Sequence, residues 1–511
     1  MSGAGGGAAG GPGAAETVDA VVVGAGVGGL VAAHTLAGRG LRVVVLEATD
    51  RAGGPVRGGT FPSLPRVPLD LGAESFAVRG GAVEELVREL GLTVEAPAGL
   101  SAWGWAAGHA FPLPAAGVLG IPSRPWAGDV RRAIGVPGVL RAALDRVLPA
   151  RLVDPTDLGT LVRSRLGWRV ADRLVTPVAS GVHSAPLDRL DVAAVAPGLL
   201  DAYARTGSLS RAVAALRAAA PAGSAVRGVD GGVHTLVETL AARLDVRYGA
   251  RVTAVDRAGS AWLVRPADGR PLHAPRLVLA SRLPLDPPRS GEAGPAGGRP
   301  ADGPTSHRAA EGGGRPGRTA LPQAPQAPER GADIRLVTLL LDAPELDAAP
   351  RGTGMLVAPD RAPDRAPDRA GSRGGRHAVR AKALTHATAK WPWLARRVRD
   401  AAGPGVHVVR LSYGRLGEPT PEPTAQEAAR DASALLGVDL TGRVRDVLHQ
   451  RWDGALPPPT PTYRAAVTAY EAAVRTVPGL DVTGGWVAGT GLAAVVAHAR
   501  RTADRLGAPA G

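Results

Sequence analysis

Asp19-Ala-Val-Val-Val-Gly24-Ala-Gly26-Val-Gly28-Gly29-Leu30, followed by Arg42-Val-Val-Val-Leu46-Glu47, is the stretch that decides the fold. The run Asp19 to Val23 is short and apolar, as a buried parallel strand requires. Leu30 to Ala37 is helix-compatible, and Arg42 to Leu46 reads as a second strand. Between the first strand and the helix lies a glycine-rich turn with a physical role for each part. Gly24 permits the tight bend, Gly26 lets backbone approach a pyrophosphate, and Gly29 lets helix and strand pack closely. The helix then points unpaired N–H groups and its dipole at the phosphates. Glu47 stands 21 residues beyond Gly26, where a carboxylate accepts from ribose hydroxyls and disfavours a 2′-phosphate. Strand, turn, helix and acid together predict a dinucleotide site formed by Gly24, Ala25, Gly26, Val27, Gly28, Gly29 and Glu47 with its neighbour Ala48.

Working outward, Arg51-Ala-Gly53-Gly54-Pro55-Val-Arg57 places a basic residue and a glycine pair just past the acid. This resembles the second fingerprint of the flavin amine oxidase and protoporphyrinogen oxidase superfamily. The resemblance implies FAD, non-covalently bound, with Arg51, Gly53 and Gly54 close to it. Pro55 is a departure, because that family usually has Lys or Arg there. Asp70-Leu-Gly72-Ala-Glu-Ser75-Phe76 corresponds to the segment beside the isoalloxazine ring, which makes Gly72, Ala73, Glu74 and Ser75 candidate flavin neighbours.

Later segments, in their order, resemble one branch: the oxygen-dependent coproporphyrinogen III and protoporphyrinogen oxidases of haem synthesis. They are Leu161 to Gly167 with Asp172 to Pro177 and Gly181 to Ser184, Asp230 to Leu236 with Gly249 to Val252, Lys390-Trp-Pro392, Arg410 to Glu418, and Arg451-Trp452. Gly484-Gly485-Trp-Val-Ala-Gly489-Thr490-Gly491-Leu492 resembles the last FAD motif. On this resemblance Val252, Trp452, Gly485, Thr490, Gly491 and Leu492 join the cofactor set. Substrate anchors do not carry over, since no Arg precedes the hairpin segment Ser101-Ala-Trp-Gly-Trp105.

The resemblance implies a FAD-dependent oxidase that converts coproporphyrinogen III to coproporphyrin III, with O2 as acceptor and H2O2 as product. Porphyrinogens are readily oxidised, so no catalytic acid or base is named. The alternatives are protoporphyrinogen IX as substrate, an amine oxidase or desaturase, and a non-catalytic flavin- or porphyrin-binding protein. Handover to a downstream haem-synthesis enzyme is a further expectation.

Composition bounds the rest. The chain has 511 residues, 70 Gly, 46 Pro, 60 basic residues of which only Lys382 and Lys390 are lysine, and a net charge of +14. The arginines are dispersed, with no nucleic-acid reader motif, so no nucleic-acid partner is expected; a substrate with several carboxylates suits the charge better. Cysteine is absent, which removes disulfides, thiolate metal sites and a cysteinyl flavin link. No metal site is expected: His183 and His234 lack spaced partners. The start lacks a signal-peptide pattern and no apolar run is long enough to span a bilayer, so a cytoplasmic protein, with peripheral membrane contact left open, is expected. The arginines of 130–146 and 163–173 read mainly as solvated helix faces, with a membrane-facing or product-handover surface as the alternative.

The expected fold class is α/β plus α+β: a Rossmann-like FAD-binding domain interleaved with a mixed-sheet substrate domain and a helical subdomain. The FAD-binding domain takes 17–80, 225–283 and 480–508, the substrate domain 95–115 and 334–479, and the helical subdomain 116–215. Residues 1–16 read as a disordered tail and 284–333 as a Pro/Gly/Ala-rich linker; the repeat Asp360-Arg-Ala-Pro-Asp-Arg-Ala-Pro-Asp368 reads as a solvated loop. Helical periodicity marks 82–91, 156–176 and 192–219, and strands are expected at Val252 to Val255, Trp262 to Arg265, Leu277 to Ala280 and Ile334 to Leu341.

Overall fold

A computed structural model describes residues 15–507, apart from 79, 107, 150–152, 154–156, 220–225, 284–320, 360–377, 456 and 459. The Asp360–Asp368 repeat, most of the linker and nearly all of the tail thus lie outside the described residues. Leu321 and Ala324 pack against the core beside Trp262, and Glu16–Thr17 pairs in parallel with Leu272 and His273.

The valine runs at the amino terminus become the two central strands of a five-stranded parallel sheet. Its order is Asp245–Arg247, Val43–Leu46, Ala20–Val23, Arg276–Leu279 and Leu480–Val482. Ala20 to Val23 and Val43 to Leu46 are buried throughout because helices and a second sheet cover both faces. The strands come from three distant parts of the chain, so this domain closes only when residues near 20, 277 and 481 meet. Helices Val27–Ala37 and Leu492–Gly507 pack together on one face through Val31, Val496, Ala499 and Ala503. A four-stranded layer, Glu16–Thr17, Leu272–Ala274, Ala261–Pro266 and Val252–Ala258, covers the other side with Trp262 at its centre.

A second sheet has seven strands, in the order Val444–Ala455, Ala332–Asp342, Val406–Tyr413, Ala383–His386, Gly354–Val357, Ala102–Ala106 and His109–Pro112. Its pairings are antiparallel except Gly354–Val357 with Ala102–Ala106. Directly paired residues share a face and neighbours along a strand alternate. The outer face carries Val337, Leu339, Leu341, Met355, Val357, Leu384, Val409 and Leu411, buried under helix Ala425–Leu436. Register places Leu336, Thr338, Leu356, Ala383, Thr385, Arg410, Ser412, Gln450 and Trp452 together on the inner face. Leu340 and Val408 on the same face are buried in a cluster with Phe61, Trp391 and Trp393, whereas several of the others are only half-buried.

The third unit is helical and includes Gly128–Ala143, Leu158–Leu166, Leu199–Thr206 and Leu209–Ala218. The periodicity at 156–176 and 192–219 implied two continuous helices. Both are broken, at Gly167 (φ 87°) and at Gly198 and Gly207 (φ 83° and 64°), conformations that favour glycine and end a helix. Ala171–Ser180 is wound as a π-helix. The reading of 163–173 as a solvated face also fails at Arg165. This side chain is fully buried, with Nε 2.8 Å from Asp145 Oδ1, and two of its nitrogens donate to the carbonyls of Leu148 and Gly207.

Candidate active site

Two glycine loops lie back to back at the carboxyl end of the parallel sheet. Gly53 N donates to Ala25 O at 2.8 Å and Gly26 bridges Gly53 in parallel. The fit is tight where the sequence argument needs glycine. A Cβ on Gly29 would stand 1.9 Å from Gly24 O, and one on Gly28 would stand 2.7 Å from Gly484 Cα. Gly26 differs: apart from its chain neighbours, no atom of the described residues lies within 4 Å of where its side chain would start, and the same holds for Gly54, Gly485 and Gly491. Gly26 caps helix Val27–Ala37 without any side-chain hydrogen bond, so the first-turn N–H groups of that helix face this space. Gly485, Thr490 and Gly491 are exposed just before helix Leu492–Gly507, whose first residue is half-buried. An anionic nucleotide fits between the two helix starts, which offer donors, dipole and room.

Glu47 ends its strand at this loop. Its Oε2 accepts from Ala25 N at 2.8 Å, and its Oε1 accepts from Thr49 N at 2.9 Å and Thr49 Oγ1 at 2.8 Å. The carboxylate therefore shapes the turn, and Oε2, which accepts a single bond, keeps acceptor capacity for a ribose. Ala48 is exposed beside it, and Val252 starts a strand two residues past Ala250, whose N–H donates to Glu47 O at 2.8 Å.

A second group of residues meets the first from the substrate sheet. Arg51 lies 5.8 Å from the Trp452 ring, and Trp452 Nε1 donates to Leu71 O at 3.0 Å. Gly72 lies against Pro55, where a Cβ would stand 1.8 Å from the Pro55 carbonyl oxygen. Glu74, expected beside the flavin, spends its side chain elsewhere: Oε1 accepts from Lys390 Nζ and Oε2 from Arg410 Nη2, each at 2.6 Å. Burial alone would raise the Glu74 carboxyl, but Arg410 and Lys390 outweigh it and hold the group at about 2. Arg410 also donates to Asp70 O at 3.0 Å and Gly72 O at 3.1 Å. Ala73 and Ser75 are half-buried within this loop.

Asp70 and His234 tie the next turn to the loop, with Oδ1 2.8 Å from His234 Nδ1 and backbone N–H groups of Val233 and His234 donating to the same carboxylate. Both glycine loops, the 70–75 loop and Trp452 thus lie close together. Val252 lies next to the end of the Glu47 strand.

The sequence reading did not single out Leu356, Thr385, Ala383, Ser412 and Gln450, which line the inner face beyond Arg410. The signal was the alternation of Val406–Tyr413, where Arg410 and Ser412 interrupt a run of apolar residues, but assigning a face needs the pairing register. That strip crosses five strands, about 20 Å at ordinary strand spacing. At its far end Leu356 meets Gly181 of the helical unit, and buried Lys382 donates to Ser184 Oγ nearby. Burial, with Arg415 beside it, pulls the Lys382 ammonium down to about 7. No carboxylate pairs with it among the described residues.

A family model for flavin-containing amine oxidoreductases matches residues 27–291. The chain belongs to the flavin-containing amine oxidoreductase family. It is an oxidoreductase with FAD as its cofactor, as the glycine loops and Glu47 predict. Among curated proteins, a coproporphyrinogen III oxidase from Mycobacterium bovis is 29% identical over 498 residues, covering 94% of this chain and 95% of that protein. Among solved structures, one from Exiguobacterium sp. 255-15, provisionally assigned as a protoporphyrinogen oxidase, aligns with a TM-score of 0.70 at 20% identity, over 97% of this chain and 99% of the other. A putrescine oxidase bound to putrescine aligns with a TM-score of 0.57 at 17% identity, over 97% and 99%. These structural likenesses establish the flavin amine oxidase fold: a Rossmann-like FAD-binding unit with a mixed-sheet substrate unit.

Proposed function

We propose that this member of the family oxidises coproporphyrinogen III to coproporphyrin III, with O2 as terminal acceptor and H2O2 as product. The observation that carries this reading is the reach of the likeness to the Mycobacterium bovis coproporphyrinogen III oxidase. It spans 94% of the chain, and so includes the inner strip and the helical unit, the parts that separate one flavin oxidase from another. FAD, held by Gly24 to Gly29, Glu47 and the loop after Gly484, supplies the two-electron acceptor; the protein supplies placement and a shaped, charged surface. Each of three two-electron steps removes one hydride and one proton from the macrocycle, six electrons and six protons in all. The inner strip from Leu356 to Gln450 offers a broad platform with hydroxyl and amide groups, and Arg415, beside the buried Lys382, gives its helical end positive charge for propionates.

Incubation in air with coproporphyrinogen III, protoporphyrinogen IX or a primary amine tests this reading. Porphyrin fluorescence and peroxide should rise fastest with coproporphyrinogen III. Peroxide from the amine alone would replace the reading with an amine oxidase.

We also propose that the catalyst works against an anionic membrane surface. No helix of the described residues is long and apolar enough to cross a bilayer. Six large apolar side chains of the helical unit are nevertheless exposed: Trp126, Val136, Leu140, Leu144, Val147 and Trp168, with Val147 at 75%. Val136 and Leu140 follow the break at Gly135 (φ 70°) in helix Gly128–Ala143, and Arg146 and Arg169 lie 4.1 and 5.3 Å from the Trp126 and Trp168 rings. Aromatic rings and arginines beside an apolar patch match a lipid interface with negative headgroups. Two copies joined through this face would set arginine against arginine. Vesicles containing phosphatidylglycerol should pellet the protein and phosphatidylcholine vesicles should not. Leu140→Glu with Val147→Glu should abolish binding; equal binding by that variant would refute the proposal.

A further inference from the structure

The loop from Asp70 to Ser75 has its acceptors and its donors sorted. The carbonyls of Asp70 and Gly72 accept from Arg410, and that of Leu71 accepts from Trp452; both donors stand on the substrate sheet. The Glu74 carboxylate is taken by Lys390 and Arg410. By contrast, the backbone N–H groups of Gly72, Glu74 and Ser75 have no hydrogen-bond partner among the described residues, although all three residues are only half-buried. Buried amides are normally paired within the protein, whereas half-buried ones stay free for water or a ligand. With the carbonyls of Asp70, Leu71 and Gly72 drawn to one side and the Ala73 N–H donating to Pro55 O, the N–H groups of Gly72, Glu74 and Ser75 are left for whatever lies along the other side.

We propose that Arg410 is a positioning residue for the cofactor. By drawing three loop acceptors toward the substrate sheet, it leaves Gly72, Glu74 and Ser75 as a row of amide donors for the electron-poor ring of FAD. This inference rests on the placement of that ring beside the 70–75 loop. One guanidinium suits the task because its planar fork holds two carbonyls on Nη1 and a carboxylate on Nη2 in fixed geometry, whereas the three donors of an ammonium radiate from one nitrogen. Lys390 holds the second Glu74 oxygen, so Glu74 cannot swing toward the ring. The clamp also couples the two units, since the residues that set the ring's donors belong to the sheet that carries the substrate strip.

The test compares purified full-length wild type with Arg410→Gln, Arg410→Lys and Trp452→Phe. FAD dissociation constants are read by quenching of flavin fluorescence, and the visible band of bound flavin is recorded for each. The wild type binds FAD. Arg410→Gln should weaken FAD binding by about tenfold or more and shift the visible band, because a charge-assisted network is lost. Arg410→Lys should recover part of the affinity but not the band position. Trp452→Phe keeps an aromatic ring but removes the indole N–H that binds Leu71 and part of the packing beside Gly72, and should weaken binding about threefold; if Arg410→Gln does not fold, the milder Arg410→Lys carries the test. Unchanged affinity and band position in Arg410→Gln and Trp452→Phe, with only a lower melting temperature, would reduce the clamp to a structural strut and overturn the inference. A wild type that binds no FAD would instead overturn the cofactor site itself.

Discussion

Two buried ionic hubs in this protein use the same chemistry for different ends. Arg165 and Asp145 are both fully buried inside the helical unit, and every partner of the pair belongs to that unit. Asp145 accepts from Ser208 Oγ at 2.6 Å and from the N–H groups of Leu209 and Ser210, so it also caps the start of helix Leu209–Ala218. Glu74, Lys390 and Arg410 form the second hub, and its partners lie more than 300 residues apart in sequence. The first hub fastens one unit to itself. The second joins the flavin-side loop to the substrate sheet. A buried ion pair by itself therefore says little about function; what it connects says more.

The comparison can be broken at the first hub. Arg165→Met leaves Asp145 buried and unpaired, which should cost about 3–5 kcal/mol in urea unfolding. FAD affinity of the folded fraction should stay at the wild-type value. Weakened FAD binding with little loss of stability would reverse the roles assigned here.

Glu74→Gln sharpens the other side. It should cost about 1–3 kcal/mol, because Lys390 and Arg410 lose a charged acceptor in a site still slightly open to solvent. Flavin affinity should fall along with it.

The pH dependence is a finer version of the same test. The Glu74 carboxyl is held at about 2 when folded, below its ordinary value of 4.5. Its contribution is therefore complete above about 4.5 and is lost as pH falls toward 2. The stability gap between wild type and Glu74→Gln should shrink through that window; a gap that stays constant from pH 6 to about 2 would contradict the assignment.

The smallest effect is expected at the surface pair Arg39–Asp504, which joins helix Leu492–Gly507 to the turn after Ala37. Asp504→Asn should change stability by roughly 0.2–1 kcal/mol, and less in high salt.

The two regions also differ in how far they could be read from sequence. The nucleotide cradle was legible because its determinants are local. Strand, glycine turn, helix and Glu47 fall within 30 residues, and glycine at positions 28 and 29 is dictated by contacts that admit no side chain. The inner strip was not legible, because a strand's alternation shows that two faces exist but not which one meets the cofactor. Pairing register decides that, as in Thr385 opposite Arg410 and Leu336 opposite both Ser412 and Gln450. Arg410 fell within a recognised run, yet its role required carbonyls some 340 positions away. Arg165 was misjudged for a similar reason. Helical periodicity in a glycine- and arginine-rich chain cannot distinguish a solvated arginine from one whose partner, Asp145, sits on another element.

The central claim is that the amino-terminal cradle holds FAD where a porphyrinogen on the substrate sheet can reduce it. Its most direct test is to add coproporphyrinogen III to the FAD-loaded protein under strict exclusion of oxygen and to follow the visible flavin absorbance. The account predicts that the yellow colour bleaches as coproporphyrin fluorescence appears, and that it returns when oxygen is admitted. Flavin that stays oxidised in the presence of excess coproporphyrinogen III would contradict it.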